Sequence, residues 1–230
     1  MKIHKIKSFC KINLSLRVIN KLSSGYHNIS SFITFSKLHD VILVTKTKKS
    51  KDEINFTGKF KKGIHKKFNT IIKVLNLLRK YKLIENQSFK IRIQKNIPHG
   101  SGLGGGSSNA ADLLNYFNHR MKLNLGKKKL KKIATQIGFD VPISLEKKNT
   151  FLTGKREEML RFNKKLGLNL LIVYPNFICS TKKIFKKNKK KSLPENKYFM
   201  YFKDKKKLFN LLKNDKNDLE ETITKIYPKI

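Results

Sequence analysis

Tryptophan is absent, cysteine occurs twice, and only 15 of 230 residues are acidic. Two cysteines, Cys10 and Cys179, are too few for a disulfide framework or a cysteine zinc site. No run approaches the ~18 uncharged apolar residues that a membrane span needs. The opening Met1-Lys-Ile-His-Lys-Ile-Lys carries basic residues with no apolar block behind them, so it does not read as a signal peptide. These shortages point to a cytoplasmic protein with no membrane partner. Core formers are not short: 39% of the residues are hydrophobic and 16 are Phe. That excludes full disorder and allows one large domain or two small ones.

The scarcity of acids leaves a net charge of +38, from 53 basic and 15 acidic residues. Such a balance normally raises nucleic acid first. Two features count against it. Only six of the 53 basic residues are Arg, the better reader of phosphates and bases. The lysines are also scattered through 46–51, 61–67, 127–132, 186–191 and 203–207, where a dedicated site would form a patch or stripe. The wealth of Lys, Asn and Ile fits the codon bias of an AT-rich genome. No specific nucleic-acid partner is expected, although the charge leaves room for salt-sensitive, non-specific polyanion binding.

Alternation predicts a strand over 9–19, with Ile12, Leu14, Leu16 and Val18 on one face and Lys11 and Asn13 on the other. Residues 20–26 read as a turn. Further strands are expected at 29–35, 39–45 and 88–94, and 55–67 reads as a loop. Ile71, Ile72, Leu75 and Leu78 stand at helical spacing over 69–80. Helices are also expected over 107–117 and 130–137, the latter stopped by Gly138. The apolar run 166–174 predicts a strand, and weak helical patterns occupy 205–213 and 218–226. The mixture indicates an α+β fold.

The most informative stretch is His99-Gly-Ser-Gly-Leu-Gly-Gly-Gly-Ser-Ser-Asn-Ala-Ala-Asp. Glycines at 100, 102, 104, 105 and 106 let backbone amides approach a ligand closely. Ser107 or Ser108 is suited to cap the helix that follows. A helix N-terminus is an anion site, so the segment reads as a phosphate cradle rather than a bare flexible turn. It is not a Walker loop, because Gly106 stands where the Lys belongs. A dinucleotide fingerprint is formally met by Gly100, Gly102 and Gly105. The acidic residue required ~20 positions on is missing between Asp112 and Asp140.

The string from Pro98 to Ala111 is similar to the ATP-phosphate motif of the GHMP small-molecule kinases. Lys11-Ile-Asn-Leu, Gly25-Tyr-His and Gly138-Phe-Asp-Val-Pro resemble the branch acting on 4-diphosphocytidyl-2-C-methyl-D-erythritol. The segment from Pro175 to Phe185, and Asn217-Asp-Leu-Glu with Tyr227-Pro, extend the resemblance from about residue 7 onward. It implies an ATP-dependent kinase of isoprenoid precursor synthesis that phosphorylates the 2-hydroxyl of that substrate, with Mg2+. It implies an α+β ATP-binding N-terminal domain, residues 1–160, and a ferredoxin-like C-terminal domain, residues 161–230. The latter is expected to be incomplete, because the chain stops before a second glycine-rich motif of the family.

The same resemblance distributes roles. Asp140 takes the acceptor proton and Lys11 pairs with it. Pro98, His99, Gly100, Ser101, Gly102, Leu103, Gly104, Gly105, Gly106, Ser107 and Ser108 hold ATP phosphates. Asn69 lies near adenine, or serves as a helix N-cap, and Lys95 lies near the nucleotide. Tyr26 and Phe185 sandwich the cytosine, His27 bonds its edge, and Asn13 and Thr181 position the substrate. No protein metal ligand is expected, so Mg2+ is held by phosphates and water. The competing readings are a basic RNA-binding protein on a related fold, which leaves the glycine loop unexplained, and an inactive remnant of a kinase.

Overall fold

The computed structural model describes residues 2–23, 25, 27–153, 158–163, 166–176, 179–193 and 204–228. It divides into two compact units that are discontinuous in sequence: residues 1–11 with 36–147, and residues 12–35 with 148–230. The division expected at 160/161 concerns the family's domains and not these units.

The first unit is built on strands. Strand β1 (His4–Asn13) runs into it as far as Lys11, and the later half of strand β3 (His27–Thr47) lies in it. Strand β5 (Ser88–Gln94) pairs antiparallel with β3, from Val41 opposite Gln94 to Thr47 opposite Ser88. Strand β4 (Glu53–Thr57) adds to β5 in parallel. Phe89, Ile91 and Ile93 of β5 are buried while Lys90, Arg92 and Gln94 are exposed, the period of two that the sequence shows. Four helices pack with this unit: α1 (Thr70–Lys80), α2 (Gly105–Arg120), α3 (Lys127–Ile137) and α4 (Val141–Ser144). Their apolar faces, Ile71, Val74, Leu75 and Leu78 of α1 and Leu113, Leu114 and Phe117 of α2, meet Phe89 and Ile91 in one core. Phe89 and Phe117 pack edge to face, centroids 4.8 Å apart. Arg79 closes the far end of α1 with two bonds to Asp52, at 2.7 and 3.0 Å.

The second unit holds strand β2 (Arg17–Lys21), the first part of β3, strand β6 (Asn149–Thr153) and strand β7 (Met159–Phe162). β2 and β6 both pair antiparallel with β3, and β7 with β6. Helices α5 (Thr181–Lys187), α6 (Lys205–Asn214) and α7 (Glu220–Ile226) complete it. Its core is two small clusters, one around Phe32, Phe151, Leu166 and Leu208, the other around Leu16, Val18, Ile184 and Leu219. Asp218 ties the second cluster by accepting from the Val18 amide at 2.8 Å.

Four expectations are corrected. The strand expected over 9–19 divides into β1 and β2. Between them the Ser15 hydroxyl accepts from the Phe32 amide at 3.2 Å, and Ser31 donates to the Ser15 carbonyl at 2.6 Å, which replaces regular pairing. The strands expected at 29–35 and 39–45 are one strand, because Ser36-Lys-Leu contains no Gly, Pro, Asn or Asp to force a turn. The apolar run 166–174 is no strand at all: Leu166 is buried, but Leu171 and Val173 are 91% and 79% exposed. Hydrophobicity supplied the pattern, yet no named strand pairs with this run among the described residues. The segment expected as loop from 55 also begins inside β4. Among the described residues no helix is long and apolar enough to cross a membrane.

Phe117→Ala removes the aromatic centre of the first unit's core. It is expected to cost about 3–5 kcal/mol, read as a lower urea midpoint at unchanged slope. A loss below about 1 kcal/mol would contradict this packing.

Candidate active site

Local chain chemistry explains the shape of the glycine loop. Gly100, Gly102 and Gly104 all have left-handed backbones, φ 70°, 77° and 66°. Left-handed residues at alternate positions turn successive N–H groups toward one concave side, a form suited to anions. The Ser101 hydroxyl donates to the Pro98 carbonyl at 2.8 Å and steadies the turn. Gly104 is itself the N-cap of α2, with no side-chain bond at the cap. The expectation that Ser107 or Ser108 caps this helix is thereby corrected. Ser107 is half-buried in the first turn. Ser108 is fully buried and its hydroxyl meets that of Ser144 at 3.3 Å. The first amides of α2 therefore have no side-chain cap, which leaves a positive helix end for a phosphate.

Lys11 reaches this loop from β1. Its amide donates to the Leu103 carbonyl at 3.1 Å. Its stem packs so closely on Gly104 that a Cβ there would lie 2.7 Å from Lys11 Cγ. Glycine is thus required at 104 twice over, for its φ and for this approach. The Lys11 Nζ stands 3.4 Å from Asp140 Oδ2. Lys11 is buried, while the Asp140 side chain is 41% exposed. Asp140 precedes α4, where Pro142 fixes the first turn and Ser144 donates from its amide and hydroxyl to the Asp140 carbonyl at 3.3 and 3.2 Å. A half-exposed carboxylate beside a buried ammonium, next to an anion loop, can orient a hydroxyl and take its proton.

Asn69 is the N-cap of α1. Its oxygen accepts from the Ile71 and Ile72 amides at 3.1 Å, and its amide donates to the His65 and Lys66 carbonyls. The next residue, Thr70, donates to the Gly106 carbonyl at 2.9 Å and ties α1 to the start of α2. Lys95 is buried, with its ammonium bonded to Asp40 and, at 2.9 Å, to Asn109 Oδ1. Burial pulls the Lys95 ammonium below its usual pKa, with Asp40 pulling the other way. Partial burial and the Lys95 charge lower His99, so its imidazole is mostly neutral at neutral pH. Asp40, Asn109, Thr70 and Ser144 were not singled out by sequence reading. Their signal was faint: a lone acid opening the apolar run 40–44, and single polar residues within or at the start of helices marked only by their apolar faces.

The remaining predicted residues lie in the second unit. His27, the first residue of β3, and Phe185 of α5 stack, centroids 5.3 Å apart and rings inclined 29°. Asn13 donates to the Ser31 hydroxyl at 2.7 Å. Thr181 opens α5, where Ser180 is the N-cap, and is exposed. Tyr26 lies outside the described residues. The structure thus brings Lys11, Asp140, Gly104, Asn69 and Lys95 into one unit around the loop, and His27 with Phe185 into another.

Residues 69–148, from α1 through α4, match the GHMP kinases N terminal domain family. The 4-diphosphocytidyl-2-C-methyl-D-erythritol kinase of Pelagibacter ubique (strain HTCC1062) is 40% identical over all of this chain and 80% of its own length. The kinase of the same name from Caldanaerobacter subterraneus subsp. tengcongensis is 35% identical over 97% of this chain and 77% of its own. The chain belongs to the 4-diphosphocytidyl-2-C-methyl-D-erythritol kinase family. A crystal structure of 4-(cytidine 5'-diphospho)-2C-methyl-D-erythritol kinase shares the fold, with a TM-score of 0.70 at 21% identity, over 98% of this chain and 79% of that one. The α+β class expected from the pattern is therefore that of the GHMP kinases. The matched span of this family holds the loop and Asp140; Lys11 enters from outside it.

Two glycine substitutions separate backbone strain from close packing. Gly102→Ala meets open space and pays only for its left-handed backbone, about 1–2 kcal/mol. Gly104→Ala pays the same and also displaces Lys11, so its denaturation midpoint is expected to fall further. Equal losses would contradict the contact between Gly104 and Lys11.

Proposed function

We propose that this chain transfers the γ-phosphoryl group of ATP to the 2-hydroxyl of 4-diphosphocytidyl-2-C-methyl-D-erythritol. The observation that carries the proposal is the Lys11–Asp140 pair set against the left-handed glycine loop. The acceptor oxygen attacks the γ-phosphorus, the bond to the β,γ-bridging oxygen breaks, and ADP leaves. The hydroxyl proton passes to Asp140 Oδ2 and from there to solvent. Lys11 offsets negative charge as it develops on the acceptor and the phosphoryl oxygens. Such transfer needs positioning and charge, and little covalent chemistry from the protein.

In this reading the loop from Pro98 to Ser107 receives the phosphates of the co-substrate ATP, and Asn69 borders the adenine. His27, Phe185 and Tyr26 receive the cytosine, a stacking interaction worth roughly 1–3 kcal/mol per base. Asn13 and Thr181 position the rest of the acceptor. Among the described residues no three His, Cys, Asp or Glu side chains gather as a metal group. Mg2+ would come with the triphosphate, held by phosphate oxygens and water, and would offset the charge of the phosphates. The working division is a GHMP kinase N-terminal domain over 1–160 and a C-terminal domain over 161–230, in a cytoplasmic enzyme. The lysine excess is background charge, and any polyanion binding it causes is non-specific and removed by salt.

The test is a coupled ADP-release assay with and without the cytidine acceptor, with mass spectrometry of the product. Substrate-dependent ADP and a phosphorylated acceptor are expected. Asp140→Asn is expected to lower kcat at least about 100-fold while ATP still binds. Acceptor-independent ATP hydrolysis, or full activity in Asp140→Asn, would overturn the proposal.

A further inference from the structure

We propose that Asp40, together with Lys95 and Asn109, is a positioning group that holds both ends of the phosphate loop. This rests on the kinase reading above. The Asp40 carboxylate is fully buried and accepts from four donors. Oδ1 takes the backbone amides of Asn96 at 2.7 Å and Ile97 at 2.9 Å, the two residues that lead into the loop. Oδ2 takes the Lys95 ammonium and, at 3.0 Å, the Asn109 side-chain amide. Asn109 belongs to α2, one turn beyond the loop's exit. A single carboxylate therefore fastens the entrance of residues 98–104 and the helix that follows them.

The other contacts extend the same grip. Lys95 Nζ also meets Asn109 Oδ1 at 2.9 Å. It lies just under the helix start, 3.3 Å from where a Cβ on Gly105 would sit. Asn109 donates at 3.0 Å to Ser8 of β1, the strand that delivers Lys11. A carboxylate has about four lone-pair sites, and here all are used. Burial makes any loss of a partner costly, so the arrangement has essentially one geometry. That is what a loop needs if its amides must face a triphosphate without rearranging. Lys95 thereby acts through the loop, with its ammonium engaged beneath it and not on the nucleotide.

The test pairs amide hydrogen exchange of the unliganded full chain with ATP titration by calorimetry. The variants are Asp40→Asn, which puts an NH2 where a carboxylate oxygen accepted, and the milder Asn109→Ala, which keeps the Asp40–Lys95 pair. Both are studied well below their melting temperatures. Expected are faster exchange over 98–107, unchanged exchange over 149–153 and 158–162, and an ATP affinity lower by about tenfold or more, with Asn109→Ala the smaller effect. A lower melting temperature with unchanged loop exchange and unchanged ATP affinity would make the group merely structural and overturn the proposal. Faster loop exchange with native ATP affinity would overturn its role in binding. Failure of the native chain to bind ATP would instead overturn the kinase reading, while the exchange data still decide whether Asp40 holds the loop.

Discussion

The Asp40 carboxylate is the most demanding group in the first unit. Fully buried and charged, it must find a donor for every lone pair or cost several kcal/mol. Its donors come from β5's exit, from α2 and from Lys95. Satisfying it therefore fixes where one strand ends and where one helix begins. Removing a partner from such a pair typically costs about 3–5 kcal/mol, because the other charge is left buried. The glycine loop is what the chain does between those two fixed points.

Within that frame the reactive pair follows from one close approach. Lys11 can lie against the loop only because residue 104 lacks a side chain, and its ammonium then stands 3.4 Å from Asp140. Asp140 in turn is held by its own carbonyl, which Ser144 bonds twice, leaving the carboxylate half-open to solvent. The Ser108 hydroxyl bonds that of Ser144 and joins α2 to α4. Buried hydrogen bonds set the backbone, and the exposed edge is left for chemistry.

Elements with a strong local period were legible in the sequence. Phe89, Ile91 and Ile93 marked β5, and Ile71, Leu75 and Leu78 marked α1, with Asn69 as its cap. Lys11 and Asp140 became visible through motif resemblance, since neither has a local pattern of its own. What stayed hidden depends on contacts distant in sequence. Asp40 and Asn109 are 69 residues apart, and nothing in either neighbourhood names the other. The run 166–174 misled for the same reason, because a strand is made by its partner and not by its apolarity. The serine cap failed because a left-handed glycine took the position first.

The most direct measurement follows the label in a single turnover with γ-labelled ATP and 4-diphosphocytidyl-2-C-methyl-D-erythritol, using enzyme in excess over ATP. The native chain should move the label to the acceptor. Lys11→Met should bind ATP and leave the label on it, because the ammonium beside Asp140 is gone. Label released as inorganic phosphate without regard to acceptor, or transfer undiminished in Lys11→Met, would contradict the assignment of this pair as the reacting centre.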